Sequence, residues 1–163
     1  MMMTTLVVGL GNPILTDDAV GVRLARDLRL ALGERPGLAW LEECSVGGLN
    51  LLDVLQGHDR LICLDSVKTR DAQPGAWHHF TAAALRPTMN LSNVHDTNFA
   101  TALELGRRLG LRLPPDAQIH IFAVEIADNL TFSERMTDEL EARYPAVRDA
   151  ILAEVRDLLA KDG

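Results

Sequence analysis

Gly9-Leu10-Gly11-Asn12-Pro13-Ile14-Leu15-Thr16-Asp17-Asp18-Ala19-Val20-Gly21 is the stretch on which the fold of this chain turns. It follows a short apolar run, Leu6 to Leu10, that has the length and character of a buried strand. It leads into a pattern from about Asp18 to Leu32 in which Val20, Leu24 and Leu28 recur every four residues, while Arg23, Arg26 and Asp27 take other faces. That period predicts an amphipathic helix. Thr16 or Asp17 is expected to cap its start and Gly33 to stop it. Strand, glycine-containing turn and helix make the first βα unit.

The rest of the chain repeats the alternation. Strands are predicted at Leu38 to Cys44, at Arg60 to Leu64 with Asp65 closing it, and at Gln118 to Val124. A short helix is predicted around Leu49 to Leu55 and another from about Thr97 to Leu109. Residues 66–76 contain Pro74-Gly75 and no helical period. A parallel crossover needs a dozen or more residues, so the next strand, Trp77 to Phe80, is expected to pair antiparallel at an edge. The last segment, Ser133 to Ala160, reads as helix, split at Pro145, with Ala146, Ala150, Ala153, Ile151, Val155 and Leu158 on its buried stripe. Alternating elements predict a single domain over 1–163. Its fold is an α/β three-layer sandwich: a five-stranded, mostly parallel sheet with one antiparallel edge strand and helices on both faces. Ligands of such folds bind beyond the carboxyl ends of the strands.

The opening loop supports two readings. Gly-x-Gly after a strand suggests a dinucleotide loop, but the third glycine falls on Ile14, Pro13 lacks a donor where a phosphate needs one, and Asp17 and Asp18 add negative charge. In the other reading Asn12 pins the loop, Asp17 caps the helix and Asp18 points into the crevice. Asp65, ending the third strand, would share that edge of the sheet, and His95 precedes a helix. Each residue alone is as readily a cap or a surface group. Together, two carboxylates and an imidazole would suit an exchangeable divalent metal. A cation also relieves the repulsion between paired carboxylates. His78 and His79 alternate on one strand and cannot both face a site. His58 and His120 have no clustered partner in sequence, and Cys44 and Cys63 sit among apolar residues as small core side chains.

Composition narrows the partners. The chain has 163 residues, with 16 basic and 23 acidic side chains and a formal charge of −7. That balance disfavours nucleic acid and anionic membranes. Two cysteines exclude a disulfide framework and a four-cysteine zinc site. No signal-like start or membrane-length apolar run is present, so a cytoplasmic protein is expected. Neither a Gly-x-Ser-x-Gly elbow nor a His-Glu-x-x-His motif occurs.

The opening segment Gly9 to Asp18 with Gly21 resembles that of the [NiFe]-hydrogenase maturation endopeptidases. The likeness continues through Ser45-Val46-Gly47-Gly48-Leu49-Asn50-Leu51-Leu52, Leu61-Ile62-Cys63-Leu64-Asp65 with Pro74-Gly75, His95 ahead of a helix, and Phe122-Ala123-Val124-Glu125 with Leu130 and Ser133. The resemblance implies an enzyme that removes a C-terminal extension from a [NiFe]-hydrogenase large-subunit precursor after nickel insertion. It implies Asp18, Asp65 and His95 as the residues that meet the metal, with Asp18 standing where some members carry glutamate. It makes Asp18 and Asp65 the catalytic candidates. The nickel belongs to the substrate, so no intrinsic cofactor is expected. A non-catalytic nickel-site checkpoint of the same fold is the alternative, with a nucleotide-binding enzyme behind it.

Overall fold

A computed structural model describes residues 2–44, 49–84 and 102–161. The elements are β1 (Thr5–Leu10), a 3-10 turn (Thr16–Ala19), α1 (Val20–Leu32), β2 (Leu38–Cys44), α2 (Leu49–Leu55), β3 (Arg60–Val67) and β4 (Trp77–Thr81). A helical stretch at 102–108, α3, is followed by β5 (Ile119–Glu125) and α4 (Asp138–Ala160). The sheet order is β2-β1-β3-β5-β4. β1 pairs parallel with β2 and β3, and β3 with β5. β4 pairs antiparallel with β5 at the edge, as the short turn after β3 required.

Strand alternation divides the core in two. Val7, Ile62, Leu64, Phe122 and Val124 point to one face, where Leu24 and Leu28 of α1 and Leu140, Tyr144 and Ile151 of α4 cover them. Leu6, Val8, Leu61, Cys63, Ile119 and Ile121 point to the other, against Leu51 and Leu55 of α2 and Leu103 of α3. This is the expected three-layer arrangement. Every residue of β3 and β5 is buried, as parallel strands covered on both faces should be. Cys44 and Cys63 are both buried thiols.

Three local expectations are corrected. β3 runs on to Val67, so Asp65 and Ser66 lie inside the strand. Pairing with β5 continues through Val67↔Glu125 and carries it there. Neither Thr16 nor Asp17 caps a helix: no side-chain cap is made at the 3-10 turn or at α1. The tight turn brings the chain into α1 instead, and Asp17 is engaged elsewhere. The C-terminal helix begins at Asp138 and continues through Pro145. An interior proline costs about 3 kcal/mol. Five side chains on both sides of it are buried, Leu140, Tyr144, Val147, Ile151 and Val155. At roughly 1.5–3 kcal/mol each they outweigh that cost. Val147 joins this stripe, whereas Ala146 and Ala153 are exposed. The predicted helix start at Thr97 lies outside the described residues.

His120 does have a partner. Its Nδ1 lies 3.0 Å from Nε2 of His79, whose Nδ1 lies 2.9 Å from a Glu154 oxygen. His79 also stacks on Phe122. With both rings neutral, His79 donates to Glu154 and accepts from His120, which links β4, β5 and α4. Protonating both rings would oppose two N–H groups. Burial, then His79, Arg60 and Lys161, push the His120 pKa down from 6.5 to about 4. A depressed histidine contributes stability that is complete above the unfolded pKa and is lost as pH falls from 6.5 toward 4. The loss reaches about 3 kcal/mol. Thermal unfolding followed from pH 7.5 to 4 should show this slope, flattened in His120→Leu. An equally steep acid loss in the variant would refute the assignment.

Candidate active site at the carboxyl edge of the sheet

From β1 the chain passes to β2 on one side and, by way of β2 and α2, to β3 on the other. β1 and β3 therefore flank the point where strand order reverses, and their carboxyl ends open the crevice in which such sheets bind ligands. The start of α1 is pressed into this gap. A Cβ on Gly21 would lie 2.3 Å from the Leu64 carbonyl oxygen and 2.5 Å from that of Leu10. Gly11 has φ +138°, and a Cβ there would lie 2.2 Å from the Asp18 carbonyl oxygen. The glycines of the opening stretch thus bring the turn down onto the strand ends.

Asn12 pins that turn as expected. Its Oδ1 accepts from the Ile14 N–H at 3.1 Å and its carbonyl accepts from the Leu15 N–H at 3.1 Å. The Asn12 N–H, which a phosphate-cradling loop would leave for its ligand, donates to Asp18 Oδ2 at 2.9 Å. Asp18 Oδ1 accepts from the Ser66 hydroxyl at 2.7 Å. Ser66 follows Asp65, and its own N–H donates to Asp65 Oδ1 at 2.8 Å. Asp18 and Asp65 are 6% and 3% exposed. The loop after β1 and the end of β3 thereby bring two buried acids together through one serine. Among the described residues no lysine or arginine bonds to Asp18. Both acids thus lie at the same edge of the sheet, each bonded to Ser66.

His95 lies outside the described residues, as do 45–48. Among the described residues no three of His, Cys, Asp and Glu gather as metal ligands. His78 is engaged otherwise: its Nε2 lies 3.1 Å from Glu125. Glu125, buried at the end of β5, also accepts from the Thr69 hydroxyl at 2.6 Å and the Thr69 N–H at 3.1 Å. It secures the turn that follows β3.

Sequence reasoning missed Ser66, Glu125 and the task of Asp17. Ser66 had a signal, because a strand running two residues further would have put its hydroxyl on the α1 face. Asp17 had none, since its partners are more than a hundred residues away.

The fold and this edge define a class: an α/β protein with two buried acids, each bonded to one serine, at the switch point of its sheet. No family model matches the chain. Over 76 residues it is 34% identical to the hydrogenase 2 maturation protease of Escherichia coli K12; the matched stretch is 45% of this chain and only 44% of that protein. The fold is similar to that of the hydrogenase maturating endopeptidase HybD from E. coli, with a TM-score of 0.75, 25% identity, and coverage of 95% of this chain and 93% of that one. It is similar also to the [NiFe] hydrogenase maturation protease HybD from Thermococcus kodakarensis, at a TM-score of 0.65, 21% identity, and coverage of 91% and 97%. The chain is thus similar to hydrogenase maturation endopeptidases over part of its sequence and over nearly all of its fold. Among the described residues no helix is long and apolar enough to cross a membrane.

Proposed function

We propose that this chain is an endopeptidase that removes the C-terminal extension of a [NiFe]-hydrogenase large-subunit precursor once nickel has been inserted. The observation that carries the proposal is the acid pair, Asp18 and Asp65, joined by Ser66 at the switch point of a fold shared with named maturation endopeptidases. In this reading the two acids and His95 grip the nickel held by the substrate, and the enzyme carries no metal of its own. Thiolates are the softer ligands for nickel, and the precursor supplies them, which fits a chain whose two cysteines are buried.

Binding the substrate's nickel fixes the peptide bond to be cut, and positioning of that kind contributes several kcal/mol to a barrier. A water attacks the carbonyl carbon, Asp18 or Asp65 takes its proton, and that proton passes to the leaving amine. Ser66 and the Asn12 N–H each hold one oxygen of Asp18, so its carboxylate is set before substrate arrives.

Incubation with nickel-loaded and nickel-free precursor tests the reading. Intact mass spectrometry should show a C-terminal peptide lost from the loaded form alone. Nickel-dependent binding with no loss of mass would favour a checkpoint protein instead.

A further inference from the structure

Asp17 stands beside Asp18 and does the opposite work. It is completely buried, and its carboxylate faces away from the crevice into the loop that follows β5. Oδ2 accepts from the N–H groups of Ala127 and Asp128, both at 3.0 Å. Oδ1 accepts from the Thr137 N–H at 2.7 Å, and the Thr137 hydroxyl lies 3.0 and 3.1 Å from the two oxygens. One side chain thus holds both ends of the 127–137 loop. Backbone bonds join the middle of that loop to the acidic turn: Thr16 N–H to Ser133 O, Ser133 N–H to Ile14 O and Asp17 N–H to Asp128 O, at 3.1, 2.9 and 2.9 Å. Leu15 and Ser133 form an isolated parallel bridge. Within the loop, the Asp128 carboxylate accepts from the N–H groups of Leu130 and Thr131.

This rigid platform presents apolar side chains to water. Leu130 is 79% exposed, Phe132 78% and Ile14 47%. Single exposed leucines need no explanation. Three large apolar side chains on one hydrogen-bonded pair of loops, the shorter of which also carries Asp18, are a different matter. Fixing them in advance spares the ordering cost of binding.

We propose that Asp17 is a positioning residue for substrate recognition: it locks the 127–137 loop to the acidic turn so that Ile14, Leu130 and Phe132 receive an apolar segment of the precursor polypeptide next to the acids. The inference rests on the endopeptidase reading above. Asp17 never meets the reacting atoms, and its effect is on KM.

The test compares wild type, Asp17→Asn, Thr137→Val, Phe132→Ser and the double variant Asp17→Asn/Phe132→Ser, using nickel-loaded precursor. Asp17→Asn keeps the shape but turns an amide NH2 toward backbone N–H groups. It should raise KM about tenfold with kcat within about threefold, the pattern of lost uniform binding. Thr137→Val, which leaves Asp17 in place, should move KM the same way by less. Phe132→Ser should raise KM, and the double variant should bind little worse than Asp17→Asn, because residues acting through one platform do not add. Multiplying effects, or a lowered melting temperature with unchanged KM, would reduce Asp17 to a stabilising residue and overturn the proposal. Amide hydrogen exchange at Ala127, Asp128 and Thr137 separates the clasp from the activity. It should quicken in Asp17→Asn, and unchanged exchange overturns the clasp whatever the substrate. If wild type leaves the precursor uncut, the endopeptidase reading fails, and the recognition role fails with it even where exchange quickens.

Discussion

Asp18→Asn is expected to lower kcat/KM for precursor cleavage by about 10²–10⁴, the range over which a positioned acid or base acts, while leaving the fold intact. The replacement has the same shape. Its amide oxygen can still accept from Ser66 or from the Asn12 N–H, which now hold the two carboxylate oxygens at 2.7 and 2.9 Å. What disappears is the negative charge. The shape and at least one of these two bonds are kept, so the melting temperature should stay level. Asp17→Asn should lower it, because it breaks the bonds to Ala127, Asp128 and Thr137. Two neighbouring acids would then part company: one lost at the expense of activity, the other at the expense of stability and KM. The measurements are precursor cleavage by mass spectrometry and thermal unfolding by circular dichroism. Cleavage by Asp18→Asn at the wild-type rate would remove Asp18 from the chemistry and with it the main physical support for the function proposed.

Periodicity made the sheet legible because burial enforces it. Strands covered on both faces read as apolar runs, and α1 and α2 appear where Val20, Leu24, Leu28, Leu51 and Leu55 recur. The antiparallel edge followed from chain length alone, since residues 66–76 are too few for a crossover. The end of β3 was harder to read. Asp65 looks like a stop signal, yet pairing with β5 carries the strand through it to Val67, and only then does Ser66 reach Asp18. Pro145 misled in the same direction: a local rule against interior proline lost to the buried side chains around it. Asp18 and Asp65 could be singled out as candidates because the switch point of a parallel sheet is a topological property. The partners of Asp17 and the His79–His120 contact join segments distant in sequence, and no local pattern records them. The kind of substrate proposed comes from family resemblance, since no spacing of acids contains it.

The glycines of the opening stretch tie fold to site, and Gly21 gives the sharpest test. A Cβ at Gly21 would sit 2.3 and 2.5 Å from two backbone carbonyl oxygens, of Leu64 and Leu10. Both belong to inner strands of the sheet and cannot step aside as a flexible side chain would. The first turn of α1 must move instead. Overpacking of this kind costs about 1–3 kcal/mol and occasionally more; with two rigid neighbours the upper end is expected for Gly21→Ala. At roughly 2–4 °C per kcal/mol for a chain of this size, the melting temperature should fall by about 6–12 °C. Gly33→Ala is the control. Unlike the helical Gly21 it has positive φ, +70°, and nothing lies within 4 Å of its Cβ position, so only backbone strain of about 1 kcal/mol applies. The two alanines separate crowding from conformation. Gly21→Ala should also reduce cleavage by the protein that remains folded. α1 begins two residues after Asp18, and a helix lifted off the ends of β1 and β3 draws the carboxylate away from Ser66. A Gly21→Ala protein as stable and as active as wild type would show that this close approach does not set the position of the acid.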